Sequence, residues 1–248
     1  MSSPLIEVCL DSADSALAAQ EGGAQRVELC DALIEGGTTP SAGMIAATRR
    51  AVEIGVMVMI RPRGGDFVYS PTEVEAMEHD IGVARDLGAD GVVFGVLRPE
   101  GTVDAVLTRR LRDAAEGMQV TFHRAFDMTS DPTAALETLI DCGVDRVLTS
   151  GQEPSVLEGL DLLVELVERA DDRITVMPGC GITLRNMQKI ATATRARELH
   201  VVGTEFIESP MVFRNPRVYM GTELRSPEYA RCVTSAAAVR ALVERAGS

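Results

Sequence analysis

Eight short runs rich in β-branched residues recur along the chain, each followed by a stretch with helical periodicity. They are Leu5–Cys9, Arg26–Cys30, Val56–Ile60, Gly91–Phe94, Gln119–His123, Arg146–Thr149, Ile174–Met177 and Leu199–Val202. Helical patterns fill the intervals over Ser12–Glu21, Ser41–Glu53, Pro71–Leu87, Asp104–Ala115, Asp131–Cys142, Ser155–Ala170 and Leu184–Ala193, and a last one covers Pro227–Ala246. Strands alternating with helices imply right-handed βαβ units and a parallel sheet. Eight of them in 248 residues predict an α/β fold, a single (β/α)8 TIM barrel. An open doubly wound sheet is the competitor, but its glycine-rich first turn is replaced here by CLDSADS. No linker interrupts the alternation. The chain therefore reads as one domain over 1–248, with a barrel core over 1–203 and an irregular segment plus terminal helix over 204–248.

Local signals agree with this reading. Ser12, Ser41 and Asp131 stand as N-caps, with Pro132 at a first helical position. Gly22-Gly23, Gly88 and Gly143 stand where helices should stop. In a strand, alternate side chains share a face, and a barrel strand turns its apolar members outward to the helices. That parity sends Glu7 and Cys9 inward on the first strand, and Glu28 and Cys30 inward on the second. It also sends Met57, Met59 and Arg61 inward on the third, Thr121 and His123 on the fifth, and His200 on the eighth.

Carboxylates are almost never buried without a partner, so Glu7 and Glu28 need a counter-charge, a metal or water. Arg61, Arg63, His123 and Arg124 lie at strand ends and supply charge there. Catalytic residues of this fold come from the C-terminal ends of several strands, which makes Glu7, Glu28, Arg61, His123 and Arg124 the catalytic candidates. The alternative is a buried ion-pair network that closes the barrel mouth. Two loops suit an anion: Gly179-Cys180-Gly181-Ile182-Thr183 after strand seven, and Thr149-Ser150-Gly151-Gln152 after strand six. With Arg63, Ser150, Gly179, Gly181 and His200 as binding candidates, a small anionic ligand fits this rim.

Composition removes several classes of function. A net charge of -13 argues against nucleic acid or an anionic membrane as partner. Lys189 is the only lysine, which leaves almost no room for Schiff-base chemistry. No run approaches the roughly 20 apolar residues of a membrane span. The opening MSSPLIEVCLDSADS lacks the pattern of a signal peptide. Five cysteines without CxxC spacing read as reduced thiols of a cytoplasmic protein. Cys142, at a helix end, and Cys232, on the terminal helix, read as inert, while Cys180 stands beside a helix N-terminus. Cysteine thiolates with Met57 and Met59 are soft ligands that suit Cu(I), whereas the carboxylates and histidine suit a divalent metal. Nothing points to an organic cofactor.

Six segments resemble the CutC copper-homeostasis family: EVCLDS at Glu7–Ser12, GGAQRVELCDALIEGGTTPS at Gly22–Ser41, MIRPRGGDFVYS at Met59–Ser70, TFHRAFD at Thr121–Asp127, LTSGQ at Leu148–Gln152 and MPGCGIT at Met177–Thr183. The resemblance implies a cytoplasmic TIM barrel that forms a homodimer, with copper held by Cys9 and Cys30 of the EVC and ELC motifs. It also maps an inward charged cluster onto Glu7, Glu28, Arg61, His123 and Arg124. Cys180 departs from the family pattern, which more often has glycine there. Two functions follow: Cu(I) handling through thiolates, or an enzyme acting on a small anionic metabolite by carboxylate and histidine acid–base or metal-assisted chemistry. The Thr204–Arg225 segment, with Phe206, Phe213 and Tyr219, suits a cover for the barrel or an interface.

Overall fold

Side-chain caps start most of the helices. Ser12, Ser41 and Asp131 accept the backbone N–H groups of Ser15, Met44 and Ala134. Ser70 and Glu73 form a reciprocal capping box ahead of Pro71. The computed structural model describes residues 3–218 and 229–247 of the chain. In it, strands β1 (Leu5–Leu10), β2 (Arg26–Leu29), β3 (Gly55–Met59), β4 (Gly91–Phe94), β5 (Gln119–Phe122), β6 (Arg146–Thr149), β7 (Thr175–Pro178) and β8 (Glu198–Val201) pair in parallel. Helices α1 (Ala13–Glu21), α2 (Ala42–Ala51), α3 (Pro71–Asp86), α4 (Ala105–Ala114), α5 (Pro132–Asp141), α6 (Leu160–Ala170) and α7 (Met187–Thr194) separate them.

The sheet runs β7-β6-β5-β4-β3-β2-β1-β8, and a bridge between Gly179 and His200 brings its two ends together. This is a nearly closed (β/α)8 TIM barrel. Glycine is required at the seam, because a Cβ on Gly179 would lie 2.4 Å from Leu148 Cδ1 and 2.9 Å from His200 Cβ.

The predicted parity holds. Ile6, Val8, Val27, Leu29, Val56, Val58, Val92 and Phe94 pack outward in the main core with helix residues such as Ile45, Met77 and Leu111. Each such side chain contributes roughly 1.5–3 kcal/mol. The barrel's outer shell therefore supplies its stability and frees the interior for polar groups.

At its N-terminal end that interior is a charged floor. Arg26, Gln119, Arg146 and Glu198 are the first residues of their strands. Arg26 donates to Glu7 and to Glu198, and Arg146 donates to Glu198, to Thr121 Oγ1 at 3.0 Å and to Gln119 Oε1 at 3.2 Å.

Three elements differ from the sequence reading. Helix α6 begins at Leu160 instead of Ser155, because the chain turns at Gly159, whose backbone lies against Gly151 too closely for a Cβ on either. Helix α7 begins at Met187 instead of Leu184, because the Asn186 side chain folds back to accept the Thr183 N–H and to donate to Gly181 O. The terminal helix α8 covers only Ala236–Ala246 and is capped by Ser235. Before it, β10 (Ala230–Thr234) pairs antiparallel with β9 (Thr204–Glu208), so Cys232 lies on a strand and not on the helix. Valine and threonine in ARCVT favour extended backbone. Pro227 and Tyr219 lie outside the described residues.

The charged floor yields a stability test. Removing one partner of a buried ion pair typically costs 3–5 kcal/mol, so Arg26→Met should lower the urea-unfolding free energy by about that much at neutral pH. Burial alone would raise the Glu7 carboxyl, but His200 and Arg26 hold it at about 2 against an ordinary 4.5. The stabilisation from Glu7 is therefore complete above pH 4.5 and lost as pH falls through about 2. Arg26→Met should flatten that acid limb.

Candidate functional site

Above the floor, toward the C-terminal ends of the strands, the parity stacks a second tier. Glu7 joins the two. One of its oxygens takes Arg26, and the other lies 2.8 Å from His200 Nδ1, across the β1–β8 pairing that sets Glu7 opposite His200. His200 Nε2 stands 3.7 Å from Glu28 Oε2, and Cys30 Sγ stands 3.5 Å from the same oxygen. The ligand atoms of Cys9, Glu28 and Cys30 all lie within 4.8 Å of one another, as do those of Glu7, Glu28 and His200.

These contacts distribute the protons. Burial opposes a charge on His200, but Glu28, Cys9 and Glu7 surround it and hold its proton well above the usual histidine range. The adjacent Cys30 thiol, and after it His200, hold the Cys9 thiol at about 5 despite burial. Cys30 is pushed well above the usual thiol range, first because its S–H is shared with Cys9 and then by burial. Burial likewise pushes Glu28 well above the carboxylate range, helped by the nearby Cys9 and Glu7 charges and opposed by His200. The tier therefore sets an ionised Glu7 and a Cys9 thiolate around a charged His200, with Cys30 held as the thiol and Glu28 pushed toward its acid form.

A cavity of about 300 Å³ opens at this tier. Cys9, Glu28, Arg61, His123, Arg124 and His200 line it, so six of the sequence candidates face one space. Glu7 lies beneath, and Cys30 is buried beside Cys9 and Met59. Arg61 is held by the carbonyls of Glu35, Gly37 and Gly65. His123 Nδ1 accepts the Ala125 N–H, and its ring packs on Phe67 with centroids 5.1 Å apart. Gly95 makes room for that ring, since a Cβ there would lie 2.5 Å from it. Burial, and then the Arg61 charge, pull the His123 imidazole down to about 3, so it is neutral.

The remaining candidates stand elsewhere. Arg63 turns to Glu73 at 2.6 Å and Asp66 at 3.2 Å, outside the cavity. Ser150 is fully buried, with its hydroxyl 2.9 Å from Asp127 and 2.6 Å from Glu153 O, and it accepts from Arg124. Gly179 is spent on the barrel seam, and Gly181 turns at φ +80° beside Ser155. Neither lines the cavity.

Sequence reasoning passed over Arg26, Arg146, Glu198 and Asp127. The first three lie two residues before Glu28, Leu148 and His200, so extending the same parity toward the strand starts finds them. Asp127 anchors the rim by accepting from Arg124, Thr149, Ser150 and Gln152.

Comparison with known proteins fits this geometry. The CutC family model matches residues 4–205. A human protein named copper homeostasis protein cutC homolog is 52% identical over 238 residues, covering 96% of this chain and 87% of its own. A CutC family protein of Bacteroides fragilis is 49% identical over 245 residues, covering 98% of both chains. The crystal structure of the copper homeostasis protein CutC from Streptococcus agalactiae superposes with a TM-score of 0.76 at 36% identity, covering 81% of this chain and 98% of that one. The protein therefore belongs to the CutC family, which is implicated in copper homeostasis.

Proposed function

We propose that this protein binds Cu(I) in the cytoplasm through the thiolates of Cys9 and Cys30, with copper as its cargo. The observation that carries this reading is a sulfur cluster set apart from the main core: Cys30, Met57, Met59 and Val93, with Cys9 packed against them. Thiolate and thioether ligands select Cu(I) over harder ions. A divalent ion on Glu7, Glu28 and His200 would have to break the Glu7–His200 contact and displace the proton from His200, which favours the soft site. The five cysteines are unpaired, as a reducing compartment requires. No helix among the described residues is long and apolar enough to cross a membrane.

We also infer that two copies associate through the β9–β10 arm. All of β9 is exposed, and Phe206, Val212 and Phe213 are 71%, 98% and 76% exposed. Large apolar side chains left this exposed along one segment suit burial in a protein interface.

Anaerobic Cu(I) titration against a competing chelator tests the first reading. Cys9→Ser and Cys30→Ser should each weaken binding by more than the ~10–100-fold that loss of an outer-shell partner costs, and equal affinities would rule the site out. Iodoacetamide labelling read by mass spectrometry tests the thiolate. Labelling of Cys9 should be flat above about pH 6 and fall through about 5, and Cys30→Ala or His200→Gln should move it to the ordinary thiol range. Sedimentation of Phe206→Glu/Phe213→Glu should give monomer where the wild type gives dimer.

A further inference from the structure

Cys30 is 1% exposed, whereas Cys9 beside it is partly open. What covers Cys30 is backbone. Gly37 stands so close against it that a Cβ there would lie 3.0 Å from Cys30 Sγ and 3.5 Å from Met59 Cε. Glycine is needed there on a second count, since its φ is +90°. Gly37 ends a segment that leaves the barrel after β2 and passes through a 3-10 turn at Leu33–Glu35. The segment closes where Asp31 and Thr38 exchange backbone hydrogen bonds of 2.9 and 2.8 Å.

Little else anchors it. The 3-10 turn has no buried residue, and Leu33, Ile34, Glu35 and Gly36 are all exposed. Ala32 holds a φ of +43°, which strains an alanine. Glu35, Gly36 and Gly37 donate their N–H groups inside the segment, to the carbonyls of Ala32 and Leu33. Outside residues 31–38, the one hydrogen-bond partner of residues 32–37 among the described residues is Arg61. Few buried contacts and self-contained hydrogen bonds mark a part that opens ahead of the rest of a fold.

Arg61 ties this segment to its neighbour. Its guanidinium is buried, and Nη1 donates to Glu35 O at 2.8 Å and to Gly37 O at 2.9 Å. Nη2 donates to Gly65 O at 3.1 Å, in the loop after β3. The Glu35 side chain also rests on that loop, where a Cβ on Gly64 would lie 2.5 Å from its Oε2. One side chain thus clamps two loops through their carbonyls, and its charge strengthens each bond.

The segment also parts two spaces. Asp31, Ala32, Leu33 and Ile34 line a cavity of about 760 Å³ that Phe206 and Cys232 of the arm share. Glu35 and Gly36 line the 300 Å³ cavity. Cys9 alone among the described residues lines both.

We propose that residues 32–37 are a lid over Cys30 and that Arg61 is its latch, a positioning residue whose release joins the two cavities and uncovers the second thiol. For the copper reading, this means that a soft cation meets Cys9 first and gains Cys30 only when the lid lifts. The proposal itself concerns access to a thiol in the metal-free protein, so it stands or falls apart from copper binding.

Iodoacetamide labelling of the metal-free full chain, read residue by residue by mass spectrometry, tests it together with backbone hydrogen exchange. In Arg61→Met the initial labelling rate of Cys30 should rise about tenfold or more, because two charge-assisted hydrogen bonds no longer hold the lid. The sign is diagnostic. Loss of a nearby cation disfavours a thiolate, so a purely electrostatic role for Arg61 would slow the labelling. Gly37→Ala keeps Arg61 but pushes the segment off Cys30 Sγ, and it should speed Cys30 labelling too. Exchange at Glu35, Gly36 and Gly37 should rise about tenfold in Arg61→Met, while the amides of β4 to β7 keep their wild-type rates. Cys30 labelling that is unchanged or slower in either variant, or exchange that rises equally across the barrel, would overturn the proposal.

Discussion

The Glu7 carboxylate, fully buried between Arg26 and His200, is the contact on which the rest of the interior depends. Its two oxygens face different tiers. Through Arg26 it belongs to the alternating floor that continues to Glu198 and Arg146. Through His200 it sets the proton arrangement at the mouth. An imidazolium beside Cys9 and Glu28 makes a thiolate affordable in a buried setting, while burial pushes the adjacent Glu28 toward its protonated form. Without Glu7, His200 would lose a carboxylate partner and part of the reason to stay charged.

Such an interior does little for stability by itself. Desolvating an ion pair typically costs as much as the pair returns, so the apolar layer between strands and helices must carry the fold. The division follows from strand geometry. One parity of each strand faces helices and is aliphatic, and the other faces the axis and is free to hold chemistry. Chemically specialised residues can then accumulate inside the barrel without weakening the shell that encloses them.

That division also explains how much was legible beforehand. Parity reads direction, so Glu7, Cys9, Glu28, Cys30, Arg61, His123 and His200 were assigned inward correctly. It does not read depth, so Arg26, Arg146 and Glu198, on the same faces but at the strand starts, went unremarked. Nor does it govern a side chain that begins in a loop. Arg63 follows the strand by only a few residues, yet it is drawn to Glu73 by the capping box at Ser70. The terminal segment was misread for another reason. A helix pattern rich in alanine extends back to a run that tertiary pairing with β9 holds as a strand.

Two donor sets with opposite preferences therefore share one cavity. Cys9 and Met59 bring sulfur suited to a soft monocation, and Arg61, His123 and Arg124 bring nitrogen. A bis-thiolate Cu(I) centre of the kind proposed would carry a net negative charge once Cys30 gave up its proton, and the His200 imidazolium would offset it. Arg61 is not needed for that balance, being tied to carbonyls of the loops after β2 and β3. Glu28, Glu35 and Asp127 line the same cavity, so this guanidinium shares a space with carboxylates while its hydrogen bonds all go to backbone carbonyls.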